Sequence, residues 1–326
     1  MEDGITIVLD SGDLLSGICG ANDGNLKVIE GSLGGRIAAR GNEIRLEGVD
    51  EDGLRRFKIM MDNLIAIVRD GEDPTPEYVQ ALVNGCHAPS GYQTSGEIIQ
   101  GAGLRGDSMI QIPHGFHRVY PRSGNQALYI RGMRENDIAF CAGPAGTGKT
   151  YLAIAEALRL VLSKKLRKLV LTRPVVEAGE SLGFLPGDLS QKINPYLRPL
   201  YDAMESLVPY EIIHRMEETR VIEIAPLAYM RGRSLNDSMV ILDEAQNTTK
   251  EQMKMFLTRI GSGARAVITG DVTQIDLPRR TDSGLLHAIK ILREVEGIHF
   301  SFLHTSDVVR NPLIKKIIQA YDENDA

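Results

Sequence analysis

The chain is poor in cysteine. Cys19, Cys86 and Cys141 are widely spaced and odd in number among 326 residues. They make neither a zinc-binding spacing nor a disulfide framework, which suits a reducing cytosol. No apolar run approaches the roughly 20 residues that a membrane span needs. The acidic start, Met1-Glu2-Asp3-Gly4, lacks the basic n-region of a signal peptide. A cytoplasmic protein without membrane association is the expectation. Positive charge is not in excess either: 37 Lys and Arg against 43 Asp and Glu leave a net charge of −6. That removes the bulk electrostatic footprint of a nucleic-acid binder but leaves room for a local basic groove. No internal repeat or low-complexity tract is visible. His114 and His117 lie beside Pro113 with no further ligand partner in view, so they read as loop residues rather than a metal site. What remains is ordinary globular composition, 43% hydrophobic and 25% charged, at a length sufficient for two domains.

Against that plain background one stretch stands out: Gly143-Pro144-Ala145-Gly146-Thr147-Gly148-Lys149-Thr150. It is a complete G-x-x-x-x-G-K-T phosphate-binding loop. Its glycines let the backbone curl so that successive N–H groups aim at phosphate oxygens. Lys149 places a compact positive charge on the β- and γ-phosphates, and Thr150 offers a hydroxyl to Mg²⁺. The flanks agree. Residues 137–142 form a short apolar run that reads as a buried strand, and residues 151–162 read as a helix whose N-terminal dipole adds to the anion site.

Hydrolysis needs a metal-holding carboxylate and a group that positions water. The apolar run Met239-Val240-Ile241-Leu242 ends in Asp243-Glu244. In an open α/β sheet, ligands bind at the carboxyl ends of strands. Asp243 is therefore the expected Mg²⁺ ligand together with Thr150, and Glu244 the group that orients or deprotonates water. A further run, residues 266–269, leads into Gly270-Asp271-Val272-Thr273-Gln274. There Gln274 could sense the γ-phosphate, while Asp282 or Ser283 could cap the next helix. Upstream, Gln126 has the donor and acceptor needed to read an adenine edge, and it is the sole clue to ATP over GTP. Arg173, Arg233 and Arg310 could each contact phosphate; the alternative is a surface ion pair worth ~0–1 kcal/mol. Arg310 is the best placed of the three for an arginine finger, in cis or from a neighbour.

Three zones organise the chain. Residues 1–70 read as a small α+β domain, with strands at Ile5–Leu9, Leu26–Ile29 and Glu43–Gly48 and a helix carrying Leu54, Phe57, Met61, Leu64 and Val68. Residues 71–122 read as a partly ordered connection, with Thr75 as a helix cap before Pro76. From residue 123 to 326 strands are expected at 137–142, 168–172, 220–224, 238–243, 264–269 and 298–303. Helical stretches lie between most of them, a pattern that predicts a parallel sheet covered by helices on both faces.

The region from Gln126 onward resembles the PhoH-like family of ATPases. The resemblance rests on Gly143–Thr150, Leu171–Glu180, Leu182–Asp188, Pro195–Asp202, Ile224–Arg233, Ile241–Asn247 and Thr269–Pro278, all in order. Asp243-Glu244-Ala245-Gln246 and Gly270-Asp271-x-x-Gln274 are also similar to motifs of superfamily one helicases. The resemblance implies a helicase-like P-loop α/β fold, a cytoplasmic ATP-binding protein that hydrolyses ATP with Mg²⁺, a link to phosphate starvation and work on single-stranded RNA. Where many family members have His after the arginine of the last motif, this chain has Asn311. One motor domain where monomeric helicases use two implies a homo-oligomer, a hexamer being the form the family suggests. The N-terminal domain resembles a KH-like RNA-binding module, with Gly31–Gly34 or Gly34–Arg36 as its clamp or as a plain turn. The alternative function is a nucleotide-dependent switch or scaffold with slow turnover and a protein partner. A small-molecule kinase is disfavoured, because Glu244 and Gln274 suit water as acceptor.

Overall fold

The computed structural model describes residues 4–69, 73–74, 76–86, 108–174 and 189–308. They form two compact units, one drawn from Met1–Met109 and Tyr120–Ala127, the other from Ile110–Val119 and Leu128–Ala326. Among the described residues no helix is long and apolar enough to cross a membrane.

The first unit runs β1 (Ile5–Val8), α1 (Gly12–Cys19), α2 (Gly24–Leu33), β2 (Arg36–Arg40), β3 (Glu43–Glu47), α3 (Glu51–Arg69) and α4 (Pro76–Cys86). Its three strands are antiparallel in the order β1-β3-β2. Helix faces carrying Leu14, Ile18, Leu26, Ile29, Phe57 and Leu64 meet Ile44 and Leu46 of the central strand in one apolar core. Helix α4 joins that core through Tyr78, Val79, Leu82 and Val83, so part of the stretch expected as a connection belongs to this unit. Thr75, the expected cap, lies outside the described residues.

One expectation fails here. Leu26–Ile29 is not a strand but the middle of α2. Four apolar-rich residues cannot separate the two periods, but Leu26 and Ile29, three apart, are both buried while Lys27 is exposed. Asn25 also contributes: its side-chain amide, 2% exposed, donates to the Ile18 and Pro74 carbonyls at 3.1 Å each, joining the end of α1 to the approach to α4. The basic stretch after α2 contains a strand, β2, that its alanines and arginines did not announce. Two glycines of the expected clamp have structural duties. Gly34 caps α2 in the left-handed region at φ 72, and a Cβ on Gly35 would fall 2.6 Å from the Glu47 carbonyl oxygen.

In the second unit a short hairpin, β4 (Ile110–Gln111) and β5 (Arg118–Val119), precedes α5 (Gly124–Glu135), inside which the unit boundary falls. Then come β6 (Ile138–Ala142), α6 (Lys149–Leu162), β7 (Lys168–Arg173), α7 (Leu189–Glu205), α8 (Tyr210–Glu218), β8 (Ile222–Pro226) and β9 (Ser238–Leu242). The chain continues with α9 (Lys250–Leu257), β10 (Arg265–Gly270), α10 (Gly284–Leu292) and β11 (Ile298–Phe302). All six expected strands form, and they make one wholly parallel sheet in the order β11-β6-β10-β9-β7-β8. Alternation along each strand divides the apolar runs between two cores. Ala139, Cys141, Leu169, Leu171, Met239, Ile241 and Val267 face α5, α6, α7 and α8. Phe140, Val170, Val240, Leu242 and Ile268 face α9 and α10. Phe300 of the edge strand stacks on Phe140 with ring centroids 4.8 Å apart.

Replacing Asn25 by Ala removes both ties and leaves two carbonyls without their donor. The expected loss is about 1–3 kcal/mol in the first unit, read as a lower urea midpoint with unchanged slope. An unchanged midpoint would show that the Asn25 amide does not join the two segments.

Candidate active site at the carboxyl edge of the sheet

Every strand of the parallel sheet delivers its last residue to one edge, and the chemistry gathers there. β6 runs into the phosphate-binding loop. The Gly143 N–H donates to the Gly270 carbonyl at 3.1 Å, and the neighbouring Leu303 N–H donates to the Ala142 carbonyl at 2.8 Å. The loop is thus anchored to the ends of both flanking strands. A Cβ at Gly143 would lie 2.5 Å from the Leu303 carbonyl oxygen, so only glycine fits. Gly146 and Gly148 take φ values of 80 and 82, the left-handed turn that lets the loop fold back on itself. Gly148 caps α6 without any side-chain cap bond. The first N–H groups of the helix have no intrahelical acceptor and face the loop's concavity.

Lys149 is buried, and its ammonium donates to the Gly143 and Pro144 carbonyls at 2.6 and 2.8 Å. Burial lowers its pKa, and Asp271, Glu244 and Asp243 among its neighbours act in the opposite sense. Thr147 closes the loop by donating its hydroxyl to Pro144 O at 2.8 Å. Thr150 donates its hydroxyl to Asp243 Oδ1 at 2.7 Å, and Thr269, at the end of β10, donates to the same oxygen at 2.7 Å. The expected partners Thr150 and Asp243, 93 residues apart, therefore meet. A hydroxyl and a carboxylate side by side at the foot of a phosphate loop fit Mg²⁺, which takes few protein ligands and fills its shell from phosphate and water. The left-handed glycines, the uncapped helix start and Lys149 fit the phosphates of a nucleotide.

Glu244 follows in a left-handed conformation, φ 52 and ψ 39, that a non-glycine residue adopts sparingly and that clusters at functional sites. Its carboxylate accepts from Arg173 at 2.6 Å on one oxygen and from the Gln246 amide at 2.6 Å on the other. Arg173 Nε also stands 4.0 Å from Asp243 Oδ2. Gln246 in turn accepts the Asp271 N–H at 3.0 Å, and the Asp271 carboxylate accepts the Ala145 N–H of the loop at 3.1 Å. Four strand ends are thereby connected through side chains.

The other expected residues are placed differently. Gln274 is exposed in the turn after β10, with its own N–H on Asp271 O at 3.1 Å, and no side-chain bond among the described residues ties it to the cluster. Gln126 belongs to the first unit, 3% exposed, and its side-chain oxygen accepts the Arg122 N–H at 2.6 Å. Arg310 lies outside the described residues, as do residues 175–188 of the motif after Arg173. Arg233 is engaged in a bidentate ion pair with Glu223, at 2.5 and 2.9 Å, with Lys168 on the same carboxylate. Hydrogen bonding from Arg233 outweighs partial burial and, with Lys168, holds the Glu223 pKa down at about 2. Ser283, not Asp282, caps α10, accepting the Leu286 N–H at 3.5 Å. Thr269, Gln246 and Asp271 were not expected as site residues. Their signal was present as polar side chains at the ends of apolar strands, but only the strand order identifies their partners.

Comparison with known proteins agrees with the motif pattern. A family model described as PhoH-like protein matches residues 118–322. A PhoH-like protein of Mycobacterium tuberculosis is 46% identical over 309 residues, covering 95% of this chain and 85% of that protein. One from Bacillus subtilis is 46% identical over 311 residues, covering 93% and 92%. Protein PhoH of Escherichia coli K12 is 37% identical over 226 residues, covering 69% of this chain and 64% of that protein. Among solved structures, the Pif1 helicase from Candida albicans aligns with a TM-score of 0.32 at 14% identity, over 60% of this chain and 42% of that one.

Gly143→Ala tests the anchoring of the loop. Its methyl would push the loop off Leu303 at an overpacking cost of about 1–3 kcal/mol. Binding of a fluorescent ATP analogue should weaken at least about tenfold while circular dichroism stays native. Unaltered affinity would mean the close approach at Gly143 does not set the loop's shape.

Proposed function

The chain belongs to the PhoH-like protein family, and from that premise and the geometry of the sheet edge we propose that it binds ATP with Mg²⁺, hydrolyses the γ-phosphate bond, and works on RNA as a homo-oligomer. The observation that carries the proposal is the gathering of the loop-bound Lys149, the hydrogen-bonded pair Thr150–Asp243 and the Arg173-bound Glu244 at the carboxyl end of a parallel sheet. The residues divide the work. Backbone N–H groups of Gly143–Thr150 and the Lys149 ammonium would hold the phosphates. Thr150 and Asp243 would hold the metal, which when bound neutralises charge on the phosphate oxygens. Glu244, aimed by Arg173 and Gln246, would orient the attacking water and accept its proton. Gln274, on the exposed turn after β10, would sense the γ-phosphate. Gln126 would read the adenine edge, its amide orientation fixed by the Arg122 N–H. No acceptor other than water is called for, which separates this reading from a kinase.

The oligomer is proposed because the described residues of the second unit form one parallel sheet, where a monomeric helicase closes its nucleotide site with two motor domains. Arg310 of a neighbouring copy would then supply the arginine finger. RNA is proposed as the partner from the helicase-like motifs and the small KH-like α+β unit. The second reading, an ATP-dependent switch with a protein partner, draws support from the net charge of −6.

Two measurements test the proposal. Glu244→Gln keeps the shape of the side chain and removes its proton acceptor. It should retain ATP while kcat falls by about 10²–10⁴-fold, whereas Lys149→Ala should lose nucleotide binding. Normal hydrolysis by Glu244→Gln would remove that carboxylate from the mechanism. Sedimentation of the intact chain with ATP should show an oligomer, and a stable monomer with full ATPase activity would end the shared-site idea.

A further inference from the structure

A net charge of −6 leaves room for a local basic surface, and one lies at the amino end of the parallel sheet, away from the phosphate loop. Two loops make it. Ser163-Lys164-Lys165-Leu166-Arg167 joins α6 to β7, and Thr219-Arg220-Val221 joins α8 to β8. They open side by side, because β7 and β8 are neighbours and the Leu169 N–H donates to the Val221 carbonyl at 2.8 Å. The Arg167 N–H donates to the Asp237 carbonyl at 2.9 Å, which ties the first loop to the start of β9 as well. Neighbouring strands stand about 5 Å apart, so the loops form one continuous surface.

Lys164, Lys165, Arg167 and Arg220 are all exposed, and among the described residues none of their side chains has a hydrogen bond or an ion pair. The neighbouring acids are occupied. Glu217 accepts the Tyr201 hydroxyl at 2.7 Å, Glu218 lies 3.6 Å from His214 Nδ1, and Glu223 is held by Lys168 and Arg233. Asp237 is left without a side-chain partner among the described residues. Four unpaired cations therefore stand beside one unpaired carboxylate.

The backbone shows that two of these cations are not there for the fold. Lys164 and Arg220 are left-handed, at φ 58 and 59, each one residue past the cap of its helix. Both helices end in the same way: the Lys165 N–H donates to the Leu160 carbonyl at 2.9 Å, and the Val221 N–H to the Met216 carbonyl at 2.8 Å. Glycine is the residue such an ending favours, because a side chain there is strained. A cation near a helix C-terminus does complement the dipole. Arg159 and Arg215 already occupy the last turns of α6 and α8 for that purpose. On two adjacent loops the conformation calls for glycine, and the chain places a cation instead.

The surface also lacks an anchor. No large exposed apolar side chain of the described residues lies on either loop. Protein-docking patches and membrane-inserting surfaces present apolar or aromatic anchors. Unpaired Lys and Arg without an aromatic platform fit the phosphodiester backbone of a nucleic acid, held without base reading.

We propose that these two loops bind the phosphate backbone of RNA, independently of its sequence, at the end of the sheet away from ATP. The proposal rests on the reading of the chain as RNA-associated and says which surface carries the RNA.

The test uses the full chain and a labelled oligouridylate long enough to span both loops, followed by fluorescence anisotropy between about 50 and 200 mM salt. Lys164→Gly with Arg220→Gly removes two charges and relieves two strained positions, so the thermal unfolding midpoint should not fall. RNA-free ATPase activity should also be unchanged. RNA affinity should drop at least about tenfold, and the slope of log affinity against log salt should shrink by about 1.4, the sum for two phosphate contacts on a single strand. Lys165→Gln with Arg167→Gln should shrink the slope similarly. It leaves both helix endings untouched and keeps the test decisive should the glycine variant unfold. If the unaltered chain binds RNA and both variants bind it with the same affinity and slope, this surface is not the site, and RNA association itself survives. If the unaltered chain binds no RNA, both fall. Phosphatidylcholine vesicles containing phosphatidylserine give the other arm. Vesicle binding that is lost in the variants, with RNA affinity unchanged, would assign the surface to a membrane and overturn the proposal.

Discussion

A carboxylate that is only 6% exposed must be compensated, and the way Asp243 is compensated organises the second unit. One oxygen, Oδ1, takes two hydroxyls at 2.7 Å, from Thr150 at the start of α6 and from Thr269 at the end of β10. This is possible because β10 lies between the strand that leads into the phosphate loop and the strand that ends at Asp243. β10 supplies one hydroxyl to the carboxylate at the end of its neighbour β9, and Thr150, after the loop that follows its other neighbour β6, supplies the second. If β6 and β9 were adjacent, Thr269 would not stand between the two acidic and phosphate-binding elements. Strand order, set by burial of the apolar runs on both faces, thus decides which polar ends can meet.

That dependence explains what could be read from the residues and what could not. The six strands of the parallel sheet were legible because each is a short apolar run bounded by polar or glycine residues, and burial on two faces makes such runs continuous. The phosphate loop was legible because its spacing is imposed by the ligand. Asp243 and Glu244 followed from their place after a buried strand. Thr269, Gln246 and Asp271 were not, because nothing local distinguishes a polar strand end that meets Asp243 from one that meets solvent. Their roles come from contacts across 26 residues for Thr269 and Asp243 and 126 residues for Asp271 and Ala145. In the first unit the failure has another cause. Leu26–Ile29 is too short to show its period, and the evidence that it is helical is a buried amide on Asn25 whose partners, Ile18 and Pro74, lie 7 and 49 residues away.

The glycines of the chain divide along the same line between packing and ligand chemistry. Gly143 and Gly35 are required by close backbone approach, as the 2.5 and 2.6 Å distances of a hypothetical Cβ show. Gly34 ends a helix in the left-handed region. Resemblance to a KH-like clamp singled out the run at 31–36, and within it Gly34 and Gly35 are accounted for by the fold.

Glu244 shows how the strand ends act together. Its backbone is held in the left-handed region and its side chain is aimed from two sides, by Arg173 at the end of β7 and by Gln246, which is itself fixed to the Asp271 N–H after β10. Asp271 then grips the loop through the Ala145 N–H. No member of this chain of contacts can shift without altering the direction in which Glu244 faces. A partly buried polar network of this kind is rigid while every member is satisfied, and it changes discretely when one contact is exchanged. The ion pair from Arg173 is the member best able to exchange, since its guanidinium already lies within 4.0 Å of a second carboxylate, that of Asp243. In the proposed ATPase, movement at the end of β7 would therefore re-aim the water-positioning carboxylate without disturbing the threonine pair that holds Asp243. The metal holding and water activation proposed for Asp243 and Glu244 would then be set by different direct partners, two threonine hydroxyls for the one and Arg173 with Gln246 for the other.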